Sequence, residues 1–171
     1  MSDKSNAMRH AHELWQRVFA AVRREFPEIT ASHLYIDALC LELIRDPSQF
    51  QVIVTNNLFG DIVTDLGAAL QGGMGVAASV SFNPDHPERV KLFEPVHGSA
   101  PKLVGLGQAN PIATLLCVAL LFEALGFGAA AEELEAAVQL TVADGQTTPD
   151  LGGSLGTIAV TNAVLSRLRP A

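Results

Sequence analysis

The chain has 171 residues, 49% hydrophobic and 17% charged, with a formal net charge of −7. That length suffices for one domain with a real core or for pieces of two. The apolar content excludes a disordered polymer, and the acidic balance, without clustered Lys or Arg, excludes a nucleic-acid partner. An anionic substrate would need a metal ion or arginines brought from elsewhere.

In chain order, residues 1–6 are polar and lack the apolar segment of a signal peptide. Over 6–26, Met8, Ala11, Leu14, Trp15, Val18, Phe19 and Val22 recur three and four apart, which predicts a helix with one apolar face opposite Arg9, Glu13, Arg17 and Arg24. Pro27 ends it. Residues 32–36 predict a short strand that delivers Asp37 at its C-terminal end, and 38–44 predict a helix stopping before Pro47. The β-branched run 51–55 predicts a brief strand buried on both faces of a sheet. Asn56 and Asn57 then serve as turn and cap before a helix over 58–70.

Gly72, Gly73 and Gly75 suit a tight change of direction, and a domain crossing is placed there, dividing the chain into 1–72 and 73–171. Residues 76–82 and 90–93 predict strands separated by the turn-rich 83–87. The remainder predicts helices: one opening at Pro111, one over 129–143 and one over 157–168, with a Pro/Gly loop at 146–154. The apolar run 112–125 is too short for a membrane span. Cys40 and Cys117 lie in apolar stretches without ligand-like spacing, and both are expected to be buried free thiols of a cytoplasmic protein.

Asp61 and Asp65 are four apart on one predicted helix, so their carboxylates project from one face within reach of one cation. The helix follows a predicted strand, where ligand sites of α/β proteins gather. Asp37, also at a strand end, could supply a third oxygen donor. Such a set suits Mg²⁺ or Mn²⁺, whereas zinc would want clustered His or Cys.

The run Asn57-Leu58-Phe59-Gly60-Asp61-Ile62-Val63-Thr64-Asp65 with Gly72-Gly73-Met74-Gly75 resembles the signature of the isocitrate/isopropylmalate dehydrogenase family, the β-decarboxylating dehydrogenases. Tyr35-Ile36-Asp37-Ala38, Phe93-Glu94-Pro95-Val96-His97-Gly98-Ser99-Ala100-Pro101, Thr148-Pro149-Asp150-Leu151-Gly152-Gly153 and Asp3-Lys4-Ser5-Asn6 are similar to further family blocks in family order. The resemblance covers essentially the whole chain and implies the C-terminal half of the family's fold: α/β, isopropylmalate dehydrogenase-like and non-Rossmann, partial, with pieces of two domains. Residues 1–72 would belong to the central dimerisation and metal-binding domain and 73–171 to the dinucleotide-binding domain.

The resemblance implies metal ligation by Asp61 and Asp65, with Asp37 completing the set from a neighbouring subunit and sharing the catalytic role with Lys4, the acid/base group. It implies NAD or NADP contacts from Glu94, His97, Gly98, Ser99, Ala100, Lys102 and Asn110. Lys102 stands where NAD-preferring members usually carry an acidic residue and would attract a 2′-phosphate, but Leu103 departs from the tyrosine that usually follows in NADP-preferring members. The implied function is oxidative decarboxylation of a 2-hydroxy acid such as 3-isopropylmalate, with tartrate, D-malate, homoisocitrate and isocitrate as alternatives. A homodimer is implied. The family's complete chains also contain an N-terminal half that supplies substrate-clamping arginines and a catalytic tyrosine, so that half is expected as a partner and the isolated chain is not expected to turn over. The competing reading is a non-catalytic dimerisation or regulatory subunit with a relic metal motif.

Overall fold

The computed structural model describes residues 1–168. Two compact units divide between Leu70 and Gln71.

In the first unit, β1 (Ser2–Asp3) pairs in parallel with β2 (Leu34–Tyr35), Ser2 opposite Leu34 and Asp3 opposite Tyr35. Between them runs α1 (Arg9–Glu25). The helix begins later than its apolar spacing predicts, because the N–H groups of Ala7 and Met8 both donate to the Lys4 carbonyl and spend residues 4–8 on a turn. β2 is also shorter than expected. It passes directly into α2 (Ile36–Arg45), so Asp37 lies in the first turn of that helix rather than at a strand end. A carboxylate there is favoured by the helix dipole. A 3-10 turn at Pro47–Gln49 follows, and α3 (Asn57–Leu70) closes the unit. Asn56 starts α3 as a side-chain cap, its Oδ1 accepting the Phe59 N–H at 3.0 Å.

The strand expected over 51–55 is not formed among the described residues. Its tie to β1 is the Ser2 N–H donated to the Val54 carbonyl at 2.8 Å, and one such bond does not make a ladder. Val52 is 81% exposed. The β-branched composition therefore reports a capacity for two-sided burial that this unit does not satisfy. The core of the unit is small: Leu39 and Leu43 of α2 against Val63 of α3, flanked by Leu34, Ile36, Phe50, Ile53 and Leu66. The apolar face of α1 is only half closed, with Leu14, Val18 and Val22 exposed. An apolar groove of about 480 Å³ runs along it, lined by Trp15, Val18, Phe19, Val22 and residues 52–54.

The second unit opens with a 3-10 turn at Met74–Val76, entered through Gly72 and Gly73 at φ 117° and 113°, a backbone region that only glycine enters freely. That turn consumes the start of the expected 76–82 strand, leaving β3 as Ala78–Ser81. It pairs antiparallel with β4 (Leu92–Pro95), Ser79 opposite Glu94. β4 is displaced two residues toward Pro95 from the expected 90–93, because its register is set by β3. Val90 instead lies 92% exposed.

Three helices complete the unit: α4 (Ile112–Ala124), α5 (Gly128–Ala143) and α6 (Thr157–Leu165). Pro111 caps α4 rather than opening it. The Gly126 N–H donates to Glu123 and the Phe127 N–H to Phe122, a Schellman stop with Gly126 at φ 84°. α4, α5 and α6 bury Ile112, Ala119, Ala131, Leu134, Ala137, Val138, Val160 and Val164 around one core. Cys117 is buried and Cys40 partly buried, both as free thiols. No helix of the described residues is long and apolar enough to cross a membrane.

The loop before α6 leaves no room at Gly153, where an added Cβ would lie 2.0 Å from the Thr147 carbonyl oxygen. Gly153→Ala is expected to lower unfolding free energy by about 2 kcal/mol or more through forced displacement of that loop. Gly128→Ala, with open space around it, is expected to change it by less than about 1 kcal/mol, in the stabilising direction. Urea unfolding followed by far-UV circular dichroism distinguishes the two.

Candidate functional site

In the first unit the chemistry gathers at the end of β1. The Lys4 amine lies 2.6 Å from Asp37 Oδ1, with the lysine side chain one-quarter exposed and the aspartate open to solvent. The same amine stands 5.8 Å from the centre of the Tyr35 ring. The hydrogen bond from Lys4 is the main reason the Asp37 carboxyl is held below its ordinary range. Lys4 and Asp37, both expected as catalytic, are thus brought together by the β1–β2 pairing within one chain.

Beneath them is a carboxylate that the sequence did not flag. Asp3 is completely buried. Its Oδ1 accepts from the Ser5 N–H and hydroxyl, both at 3.1 Å, and lies 2.9 Å from His33 Nε2; its Oδ2 accepts from Gln16 Nε2 at 2.9 Å. Burial pushes the Asp3 carboxyl up, but the bonds from His33, Ser5 and Gln16 together outweigh it and hold the group below the ordinary 3.8. A buried imidazole, His12, accepts the Lys4 N–H on Nδ1 at 2.8 Å.

Asp61 and Asp65 lie on the exposed face of α3, shared with Leu58 and Ile62. Among the described residues no cation is in ion-pair range of either carboxylate. Two hard, open oxygen donors four apart on a helix fit part of a Mg²⁺ or Mn²⁺ site. The described residues contain no cluster of three or more His, Cys, Asp or Glu able to hold a metal ion. Asp37 is not brought to that pair within one chain; its carboxylate is engaged by Lys4.

In the second unit, Glu94 is exposed on β4 and its carbonyl accepts the Ser79 hydroxyl at 2.9 Å. His97 is half-buried, and its Nδ1 lies 2.9 Å from the Gly98 carbonyl. A carbonyl can only accept, so Nδ1 carries a proton and Nε2 is left for a ligand. Gly98 has open space where a side chain would be. Ser99 and Ala100 are exposed, and Ala100 adopts a left-handed φ of 43° that turns the chain into the 3-10 segment Pro101–Leu103 carrying Lys102. An open glycine, a histidine with one free ring nitrogen and an exposed lysine suit the approach of a phosphorylated dinucleotide. Asn110 is more committed. Its Oδ1 accepts the Ile112 N–H and its Nδ2 donates to Asp150 Oδ2, each at 2.9 Å. Asp150 also accepts from Thr148 at 2.5 Å, and Gly75 packs against the Asn110–Asp150 pair so closely that a Cβ would lie 2.6 Å from the carboxylate.

The match of residues 1–165 to the isocitrate/isopropylmalate dehydrogenase family model settles the class: the chain belongs to that family. It is 46% identical over 159 residues to a 3-isopropylmalate dehydrogenase of Streptomyces avermitilis, covering 89% of this chain and 45% of the relative. It is 44% identical over 165 residues to one of Archaeoglobus fulgidus, covering 96% and 49%. The crystal structure of isocitrate dehydrogenase from Methylococcus capsulatus matches with a TM-score of 0.89 at 35% identity, over 99% of this chain and 50% of that one. That of a β-decarboxylating dehydrogenase from Thermococcus kodakarensis, in apo form, matches with a TM-score of 0.78 at 34% identity, over 97% and 48%. The α/β, isopropylmalate dehydrogenase-like fold expected from the motifs is therefore the fold observed. The chain spans about half the length of these relatives.

The Asp3 network generates a prediction with a definite sign. Its folded-state pKa is depressed, so its contribution is present above about pH 3.8 and is lost as pH falls through the lower folded value. Asp3→Asn is expected to lower unfolding free energy by about 2 kcal/mol at pH 7, with the gap from the parent narrowing below pH 3.8. Trp15, the single tryptophan, lies in the same unit, and its fluorescence during urea unfolding at several pH values measures the gap.

Proposed function

We propose that this chain carries the metal-binding and dinucleotide-binding parts of a β-decarboxylating dehydrogenase that oxidises a 2-hydroxy acid of the 3-isopropylmalate type. The observation that carries the reading is the Lys4 amine held 2.6 Å from Asp37 just after β1, whose last residue, Asp3, is a buried, hydrogen-bonded carboxylate. The relatives named 3-isopropylmalate dehydrogenase support that substrate over tartrate, D-malate, homoisocitrate and isocitrate.

Oxidation at C2 removes a hydride from carbon and a proton from the hydroxyl; loss of CO₂ from the resulting β-keto acid then leaves an enolate that must be reprotonated. Lys4 is the group that takes and returns protons, switching between ammonium and amine as its partner at Asp37 and the bound substrate alternate. Asp61 and Asp65 would hold Mg²⁺ or Mn²⁺, with Asp37 completing the set from a second copy of the chain. When bound, the cation would lower the hydroxyl pKa and stabilise the enolate charge, and NAD or NADP would accept the hydride. His97, Gly98, Ser99, Ala100 and Glu94 would line the dinucleotide, Lys102 would meet a 2′-phosphate, and the remaining amide hydrogen of Asn110 is available as a further contact. Exposed Leu41 and Ile44 on α2 and Leu58 and Ile62 on α3 support self-association through these helices. The arginine clamp that orients the substrate would come from a complementary N-terminal half.

Weak Mn²⁺ binding to the chain is expected by titration calorimetry, abolished in the double variant Asp61→Asn, Asp65→Asn and retained in Lys4→Ala. Undiminished binding by the double variant would remove these carboxylates from the site.

Turnover of 3-isopropylmalate, measured as NAD⁺ or NADP⁺ reduction, is expected only when the complementary half is present. Under that condition Lys4→Ala should lower kcat by about a hundredfold or more. Strong turnover by the isolated chain would overturn the division of the site, and an unimpaired Lys4→Ala enzyme would overturn the acid/base assignment.

A further inference from the structure

Lys4 is held at three points. Its carbonyl accepts from Ala7 and Met8, its amine meets Asp37, and its N–H donates to His12 Nδ1. The first is ordinary helix entry and the second belongs to the site above. The third is unusual, because a ring nitrogen on α1 receives a peptide N–H from eight residues earlier in the chain.

His12 is 4% exposed. Its ring stands edge-on to Phe59, with centroids 5.6 Å apart, and its Nε2 lies 3.2 Å from Asn56 Nδ2. Asn56 caps α3 and Phe59 lies in its first turn. One imidazole therefore touches both the strand end that carries Lys4 and the start of the helix that carries Asp61 and Asp65. A peptide N–H can only donate, so Nδ1 serves as the acceptor and a neutral ring keeps its proton on Nε2; the Asn56 amide nitrogen facing it is also a donor, so that contact is not a hydrogen bond and the ring meets α3 through its edge-on packing with Phe59. A leucine of similar bulk would fill the same space but could not accept that bond.

We infer that His12 is a positioning residue, fixing the Lys4 backbone to α1 through its Nδ1 acceptor while its ring packs edge-on against Phe59 in the first turn of α3. It acts through the lysine and touches no reacting atom. The catalytic consequence rests on the acid/base reading of Lys4 given above; the structural content does not.

The test is amide hydrogen exchange of Lys4, followed by NMR on the ¹⁵N-labelled full chain in the parent, His12→Leu, His12→Asn and His12→Gln. Asparagine places an acceptor oxygen near the Nδ1 position, and glutamine places its amide near Nε2. Exchange at Lys4 should accelerate by about tenfold or more in the Leu and Gln variants and return close to the parent rate in the Asn variant, with the amides of α4 and α5 as internal reference. Equal rates in all four proteins overturn the inference, as does equal acceleration in all three variants. If His12→Leu does not fold, the Asn and Gln variants decide the matter alone.

With the complementary half present, His12→Leu should lower kcat by about tenfold or more with KM changed less, and His12→Asn should restore kcat. Lys4→Ala measured alongside separates the two ideas: full turnover without Lys4 refutes the acid/base assignment, while the exchange rates still judge His12.

Discussion

The first unit is organised around a carboxylate that water does not reach. Asp3 can remain charged in that position only because Ser5, Gln16 and His33 direct hydrogen bonds at it from the following turn, from α1 and from the approach to β2. Those three sources are the elements that must converge to pair β1 with β2. The pairing in turn brings Lys4 beside Asp37. With an apolar core cluster built on just Leu39, Leu43 and Val63 among the described residues, this polar cluster supplies much of the specificity with which the unit assembles.

The second unit is built on the opposite principle. Its core is apolar and rich in alanine, and its polar contacts serve mainly to anchor loops: Asn110 to Asp150, Thr157 to the Gly107 and Ala109 carbonyls, Arg167 to Asp144. Small side chains on α4 and α5 allow close helix approach, which is why glycine and alanine positions there carry as much information as large ones. Within the 97–102 loop, a left-handed Ala100 turns the chain and a histidine bonds to its own neighbour.

The elements that the sequence disclosed were those whose pattern is local. The helix over 58–70 and the acidic pair within it, the helices around Pro111 and 129–143, and the long motif of residues 57–65 all carry their evidence in neighbouring residues. The strand over 51–55 misled because β-branched composition reports what a segment can bury, not what stands ready to cover it. Asp3 and His33 were missed because their juxtaposition follows from pairing across some thirty residues. His12 did leave a trace: positions 8, 12, 15 and 19 form one i, i+4, i+7, i+11 series, so a histidine stood in a stripe of apolar residues. The motif offered Asn110 only as a candidate cofactor contact; its duty as a brace between α4 and Asp150 depends on a residue forty positions away and left no local signal.

The short Schellman link between α4 and α5 and the long return from β1 to β2 also differ in loop-closure entropy. Ala124 and Gly128 are joined through three residues, whereas Ser2 must find Leu34 across the whole of α1. Three doublings of loop length correspond to roughly 2 kcal/mol of additional chain entropy. The segment that bears Lys4 is therefore the more costly part to order, and the hydrogen bonds aimed at Asp3 are what offset that cost.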